Sequence, residues 1–194
     1  MRPCASGSGR TRYAWDTAYP KMEAKANQFA AMVLMPPDDF REQTKSFLAP
    51  TLAQFEDLKD RYEVSLTAIV LNWLKTTDRR AMIVVSKDGF IDWSLGSDRL
   101  FRSGVFFQAK KETIPIPERS LAALGSACGK EDARHPAGVW NAREGVLESV
   151  VFADAHGMTI SLLIYPKDAP SRWEAAEEEA ELMDTYEAFK RGQR

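Results

Sequence analysis

The 194-residue sequence has few of the residues that build metal sites and disulfide frameworks. It contains two cysteines, Cys4 and Cys128, and two histidines, His135 and His156. Cysteines this far apart in the sequence form neither a CxxC metal motif nor a disulfide framework, so we expect reduced thiols. Neither histidine has a second histidine four residues away or a glutamate beside it, and an HExxH motif therefore does not occur in these 194 residues.

Long apolar runs and an excess of one charge are also lacking. No stretch reaches the roughly 18 apolar residues that a membrane span needs, and the first nine residues contain no apolar signal-peptide core. The 26 Lys and Arg residues nearly balance the 28 Asp and Glu residues, so the chain as a whole offers no field that would hold a phosphate backbone or an anionic membrane. We therefore expect a cytoplasmic protein with no membrane partner, and nucleic acid is an unfavoured partner.

The first part of the chain shows the periodicity of helices. Residues 1–15, which are rich in Gly, Ser and Arg, are expected to be mobile. A helix capped by Asp16 should end at Met35-Pro36-Pro37, because each proline pushes the preceding residue out of the helical region. Two more helices, at 51–62 and 65–75, are joined by a tight turn and form a helix-turn-helix-like unit.

After about residue 77 the apolar pattern changes to a period of two, which is typical of strands. Asp88-Gly89 lies between two β-rich runs and indicates a hairpin with a two-residue turn. In the simplest register of such a hairpin, Val84 faces Trp93 and Met82 faces Leu95.

The remaining elements complete an α+β fold. A second hairpin is expected from 146–152 and 158–165, followed by a terminal helix whose capping box is Ser171 with Glu174. The prediction is a flexible N-terminus, a small helical part at 16–77, and an antiparallel β module with a C-terminal helix at 78–194. His135 and His156 fall in predicted loops, where a histidine is more often solvated than a metal ligand.

The first helix carries a specific motif. Residues 23–30, Glu-Ala-Lys-Ala-Asn-Gln-Phe-Ala, are followed by Ala-Met-Val-Leu-Met-Pro at 31–36. This segment resembles the ExxAN.FA..LLMP signature that follows the HExxH helix in ImmA/IrrE-type zinc metallo-endopeptidases, and weaker similarity continues at 39–41, 61–65 and 84–91. The resemblance implies that the helical part is the remnant of a zincin-like peptidase domain, to which a β module has been added.

The resemblance also implies a metal ligand and a cofactor. A catalytic zinc takes three protein ligands and a water, and an HExxH helix supplies two imidazoles. In the family the third ligand is the first Glu of the ExxAN signature, which is Glu23 here. Ala26 and Ala30 would let a partner helix approach closely, and Asn27 would orient a ligand or cap a backbone group. Zinc is thus expected in full-length relatives but not in this chain alone, which we predict to be inactive because HExxH is missing.

Three functions follow from these observations. The resemblance favours the C-terminal portion of an ImmA/IrrE-like peptidase, whose family role is the cleavage of helix-turn-helix repressors in stress responses. The alternative is a non-catalytic interaction or sensory module, in which the β part binds a ligand or a protein. A helix-turn-helix DNA-binding regulator is less favoured, because the helix at 65–75 is apolar nearly all round and should be buried.

The region upstream of Met1 tests the peptidase assignment. Only 22 residues precede Glu23, and we expect these to be too few to include the partner helix. If the start codon is placed too late, in-frame translation of the upstream DNA should give an apolar helix ending in HExxH within a few dozen codons. If the gene is truncated, a stop codon or a frameshift should separate that motif from Met1. Open upstream sequence without HExxH in any frame would contradict the assignment and favour an interaction module.

Overall fold

The computed structural model describes residues 15–109, 112–153 and 157–167. The helices in these ranges are α1 (Trp15–Leu34), α2 (Pro37–Thr44), α3 (Leu52–Tyr62), α4 (Leu66–Thr76), α5 (Asp98–Arg102) and α6 (Leu121–Leu124). The strands are β1 (Ala81–Lys87), β2 (Phe90–Gly96), β3 (Asp132–His135), β4 (Val146–Ala153) and β5 (Met158–Ile164). The protein therefore has an α+β fold, as the sequence predicts. None of the described helices is long and apolar enough to cross a membrane.

The chain divides into two compact units, residues 1–42 and 43–194. The boundary expected near residue 77 stays a prediction. The N-terminal residues 1–14, the turn at 154–156 with His156, and the terminal helix expected from Ser171 lie outside the described residues.

The first unit contains α1 and most of α2. As predicted, α1 ends just before Pro36. The prediction that Asp16 caps this helix is wrong, because a cap residue has non-helical dihedral angles and Asp16 lies inside α1. Helix α2 was not predicted, although Pro37 at its first position and two acidic residues in its first turn are typical helix-start signals.

Helices α3 and α4 confirm the predicted helix-turn-helix-like unit. The backbone N–H of Thr51 donates to Gln54 Oε1 at 3.1 Å, and the Ser65 side chain accepts from the backbone N–H of Ala68 at 3.2 Å. The Phe55 and Trp73 rings meet edge to face, with their centroids 5.3 Å apart. Both helices bury one apolar face: Leu52, Phe55, Leu58 and Tyr62 on α3, and Leu66, Ile69, Val70, Trp73 and Leu74 on α4.

The five strands form one antiparallel sheet in the order β2-β1-β5-β4-β3. On one face α3 lies against β4 and α4 against β1, and the backbone N–H of Leu52 donates to Ser149 Oγ at 2.8 Å. On the other face a second apolar cluster forms around α5, α6 and Trp140. Its buried members are Met82, Val84, Ile91, Leu100, Leu121, Ala122, Trp140, Val146, Val150, Leu163 and Tyr165. Strand β1 is buried along both faces up to Ser86, because each face of the sheet is covered.

The first hairpin has the predicted two-residue turn but not the predicted register. Asp88 and Gly89 have φ angles of 51° and 83°, and the flanking residues of the turn are paired. The prediction that Val84 faces Trp93 is wrong, since Trp93 pairs with Val85. The reason is a β-bulge at Asp92, which inserts one residue into β2 and shifts all later pairs, including Met82 with Leu95, by one position.

Replacing Gly89 by valine should destabilise the second unit. A Cβ atom at Gly89 would meet no heavy atom within 4 Å, so the cost arises from forcing a β-branched residue to a φ of +83°. We expect a loss of about 1–3 kcal/mol in the free energy of unfolding, measured by urea denaturation. Gly89→Asn is the matched control, because asparagine tolerates this backbone region. Equal stability of the valine variant and the wild type would show that the turn conformation is wrong.

Candidate functional site

Glu23, the zinc ligand that the resemblance implies, lies on α1 together with its three supporting residues. Glu23, Ala26, Asn27 and Ala30 are spaced at i, i+3, i+4 and i+7, so they share one side of the helix. All four are exposed. The structure thus makes this carboxylate accessible on a helix face that has small side chains beside it.

Large apolar side chains on α1 are exposed as well. More than half of the surface of each is accessible: Met22 65%, Phe29 70%, Met32 52%, Val33 60% and Leu34 51%. Several large apolar side chains exposed on one helix indicate an interaction surface, because leaving them in water costs free energy.

The described residues do not by themselves fit a catalytic zinc. Such a site needs three protein donors, and no group of three or more His, Cys, Asp or Glu side chains comes together within the described ranges. Glu23 supplies one carboxylate. It is therefore a single candidate ligand and not a metal centre.

A carboxylate that sequence reasoning missed lies in the core of the second unit. Glu148, on β4, is fully buried and accepts four hydrogen bonds. The backbone N–H of Leu121 and the indole N–H of Trp140 donate to Oε2, each at 2.9 Å. The backbone N–H of Ala122 and the hydroxyl of Ser161 donate to Oε1, each at 3.2 Å. These donors replace the water that an ionised carboxylate loses on burial.

His135 contacts the same carboxylate, which corrects the prediction of a solvated loop histidine. It is the last residue of β3, its side chain is 10% exposed, and its Nε2 lies 2.8 Å from Glu148 Oε2. The contact is close enough for an ion pair when the ring is protonated. It is not a hydrogen bond, however, because the ring N–H is not directed at the oxygen, and Nε2 has no hydrogen-bond partner. The loop prediction failed because His135 pairs with Val146 of β4, on the face of the sheet that carries the second apolar cluster.

A second buried ion pair lies where β1 begins. The guanidinium of Arg80 binds Glu144 through two hydrogen bonds, at 2.5 and 2.8 Å, and also donates to Ser103 Oγ and to the carbonyl of Pro166. The side chains of the ion pair are only 3% and 15% exposed. Arg80 lies over the ring of Tyr165, 5.7 Å from its centroid. Burial raises the pKa of the Tyr165 hydroxyl well above its usual range, and the nearby negative charge of Glu144 raises it further. The positive charge of Arg80 lowers this pKa and offsets part of the increase.

Residues 5–73 match the family model of the IrrE N-terminal-like domain, Peptidase_M78. This segment belongs to the ImmA/IrrE family. The family is of the zinc metallopeptidase type, and the matched segment includes Glu23 and extends into α4. No curated protein matches the chain. The resemblance inferred from the ExxAN signature is thereby confirmed for the ImmA/IrrE segment, whereas the metal-ligand role of Glu23 stays a prediction.

The sequence did contain a signal for Glu148. In the run Val146-Leu147-Glu148-Ser149-Val150 it shares one face of the strand with two apolar residues, Val146 and Val150, that are both buried. A charged residue at an inward position of a strand indicates a satisfied buried group. The sequence did not indicate which groups donate hydrogen bonds to Glu148. These donors come from α6, β5 and the Trp140 segment, which are distant from β4 along the chain or irregular in structure.

Replacing Glu148 by glutamine should destabilise the protein while keeping the side-chain shape. The amide NH₂ would face at least one backbone or indole N–H, which leaves buried donors unpaired. We expect a loss of about 3 kcal/mol in the free energy of unfolding, measured by urea denaturation. Glu118→Gln, at an exposed position, is the control and should change stability by less than about 0.5 kcal/mol. If the two variants were equally stable, the network around Glu148 would be wrong.

Proposed function

We propose that this chain carries the portion of an ImmA/IrrE-type zinc metallopeptidase that follows the HExxH helix, and that it does not hydrolyse peptides by itself. The observation that carries the proposal is the position of Glu23 on an exposed face of α1, inside the segment that belongs to the family. By family role, the substrate of the complete enzyme would be a helix-turn-helix repressor.

The surface of α1 supports the proposal that a helix carrying HExxH packs against it. Ala26 and Ala30 follow Glu23 along the same side at one and two turns, and small residues let helix backbones approach closely. A helix that carries HExxH could then bring its two imidazoles near the Glu23 carboxylate. The exposed apolar residues of α1 would lose their contact with water in the same step.

The proposed inactivity follows from the missing groups. HExxH provides two of the three zinc ligands and the glutamate that activates the attacking water. Neither histidine of this sequence stands in such a motif. His135 lies against Glu148 in the core of the second unit.

The purified 194-residue chain should contain no stoichiometric zinc after dialysis and should show no peptidase activity. A single carboxylate holds zinc too weakly to survive dialysis. Metal content measured by mass spectrometry, together with incubation with a helix-turn-helix repressor, checks both expectations. One tightly held zinc per chain that is lost on substitution of His135 or His156 would contradict the proposal.

If the upstream DNA encodes HExxH, the extended protein tests the role of Glu23. Glu23→Gln removes a charged ligand but keeps the side-chain shape, so zinc affinity should fall by about ten- to a hundredfold or more while the melting temperature of the metal-free protein is unchanged. Glu56→Gln, at an exposed position of α3 within the same family segment, is the matched control. Equal zinc affinity in both variants would remove Glu23 from the metal site.

A further inference from the structure

A cleft of about 370 Å³ opens at one end of the sheet in the second unit. It lies where β1 and β4 begin and where β3 and β5 end. Its walls combine apolar and cationic side chains: Leu48, Ala49, Arg79, Arg80, Arg134, His135, Gly145, Val146, Leu147, Ile164, Tyr165, Pro166 and Lys167. This volume is within the range of small-molecule sites.

Positive charge in this cleft exceeds negative charge. Arg80 is neutralised by Glu144, and its guanidinium is occupied by Glu144, Ser103 and Pro166. Within the described residues, Arg79, Arg134 and Lys167 form no ion pair, and no Asp or Glu lines the cleft. Three cations therefore remain available to a ligand. Glu148 does not cancel them, because it is fully buried and its oxygens already accept four hydrogen bonds.

One side chain that lines the cleft, Tyr165, has a buried hydroxyl oxygen without a hydrogen-bond partner. Within the described residues the other buried side-chain atom without a hydrogen bond is Nε2 of His135, and that atom already contacts Glu148 Oε2 at 2.8 Å. An unpaired buried polar group costs about 1–3 kcal/mol, so it needs a physical explanation. Because burial raises the pKa of Tyr165, its hydroxyl keeps its proton and can donate a hydrogen bond.

We propose that this cleft binds a small organic oxyanion, a carboxylate or a phosphate monoester with a short apolar body. Arg79, Arg134 and Lys167 would hold the oxyanion through charge-assisted hydrogen bonds, and the Tyr165 hydroxyl would donate one more. The apolar body would lie against Val146, Leu147 and Ile164. The proposal does not depend on the peptidase assignment, since these polar residues all follow the family segment that ends at residue 73.

Isothermal titration calorimetry with four probes tests the ligand chemistry. Benzoate and phenyl phosphate carry the proposed anionic groups on one apolar body, benzamide is the neutral counterpart of benzoate, and inorganic phosphate lacks the body. We expect one of the two aromatic anions to bind at least about tenfold more tightly than benzamide and than inorganic phosphate. The tighter of the two identifies the source of the oxyanion as a carboxylate or a phosphate.

Variants of the same full chain test the site. Arg134→Gln and Lys167→Gln should each weaken binding of the tighter anion by about tenfold, the effect of losing one charge-assisted hydrogen bond. Arg119→Gln is the matched control, because Arg119 is exposed and does not line the cleft. Tyr165→Phe should weaken anion binding without lowering the melting temperature of the ligand-free protein, because the hydroxyl that it removes has no partner there.

Three results would overturn the proposal. The first is equal binding of benzamide and the anions, or no binding of any probe at millimolar concentration. The second is the same loss of affinity in Arg119→Gln as in the cleft variants, which would indicate general charge attraction. The third is a lower melting temperature of ligand-free Tyr165→Phe, which would show that the hydroxyl serves the fold and not a ligand.

Discussion

The second unit depends on the buried carboxylate of Glu148. An ionised carboxylate that leaves water loses several kcal/mol of solvation free energy, which only well-placed donors restore. Here the donors come from α6, from Trp140 and from β5, and the histidine of β3 lies alongside. No single local segment can satisfy Glu148. The carboxylate therefore stabilises these segments only when all of them are in place, which makes their packing cooperative.

The ion pair of Arg80 and Glu144, at the end of the sheet, is likewise a buried charged group whose partners come from several segments. Glu144 lies in the loop before β4, and the Pro166 carbonyl that accepts from Arg80 follows β5. The pair thus fixes the two strand ends that border the cationic cleft. Arg134 and Lys167, by contrast, are exposed at its rim. A rigid base with free charged side chains above it is suited to bind an anion without a rearrangement of the backbone.

Local features of this fold could be predicted from the sequence, whereas long-range ones could not. Thr51 and Ser65 mark helix starts because capping uses residues three positions apart, and Asp88-Gly89 marks its turn because few residues adopt positive φ. The bulge at Asp92 has no comparable local signal, so the register was wrong by one residue. His135 was misread because its environment is created by β4, which follows in the chain. For Glu23 the sequence supplied a family motif, but a ligand set needs atoms that α1 alone does not provide.

The hydrogen bond from the backbone N–H of Leu52 to Ser149 Oγ joins positions 97 residues apart. It links the family-defined segment, which ends at residue 73, to a strand that lies far beyond it. Helices α3 and α4 pack against one face of the sheet. The end of the family segment therefore does not coincide with the end of a folded unit. Recombination at that edge would separate two halves of one hydrophobic layer, with Val70 and Trp73 on one fragment and Ala81 and Ile83 on the other. The segment that could be exchanged between proteins without breaking this packing is therefore longer than residues 5–73, the segment that defines the family.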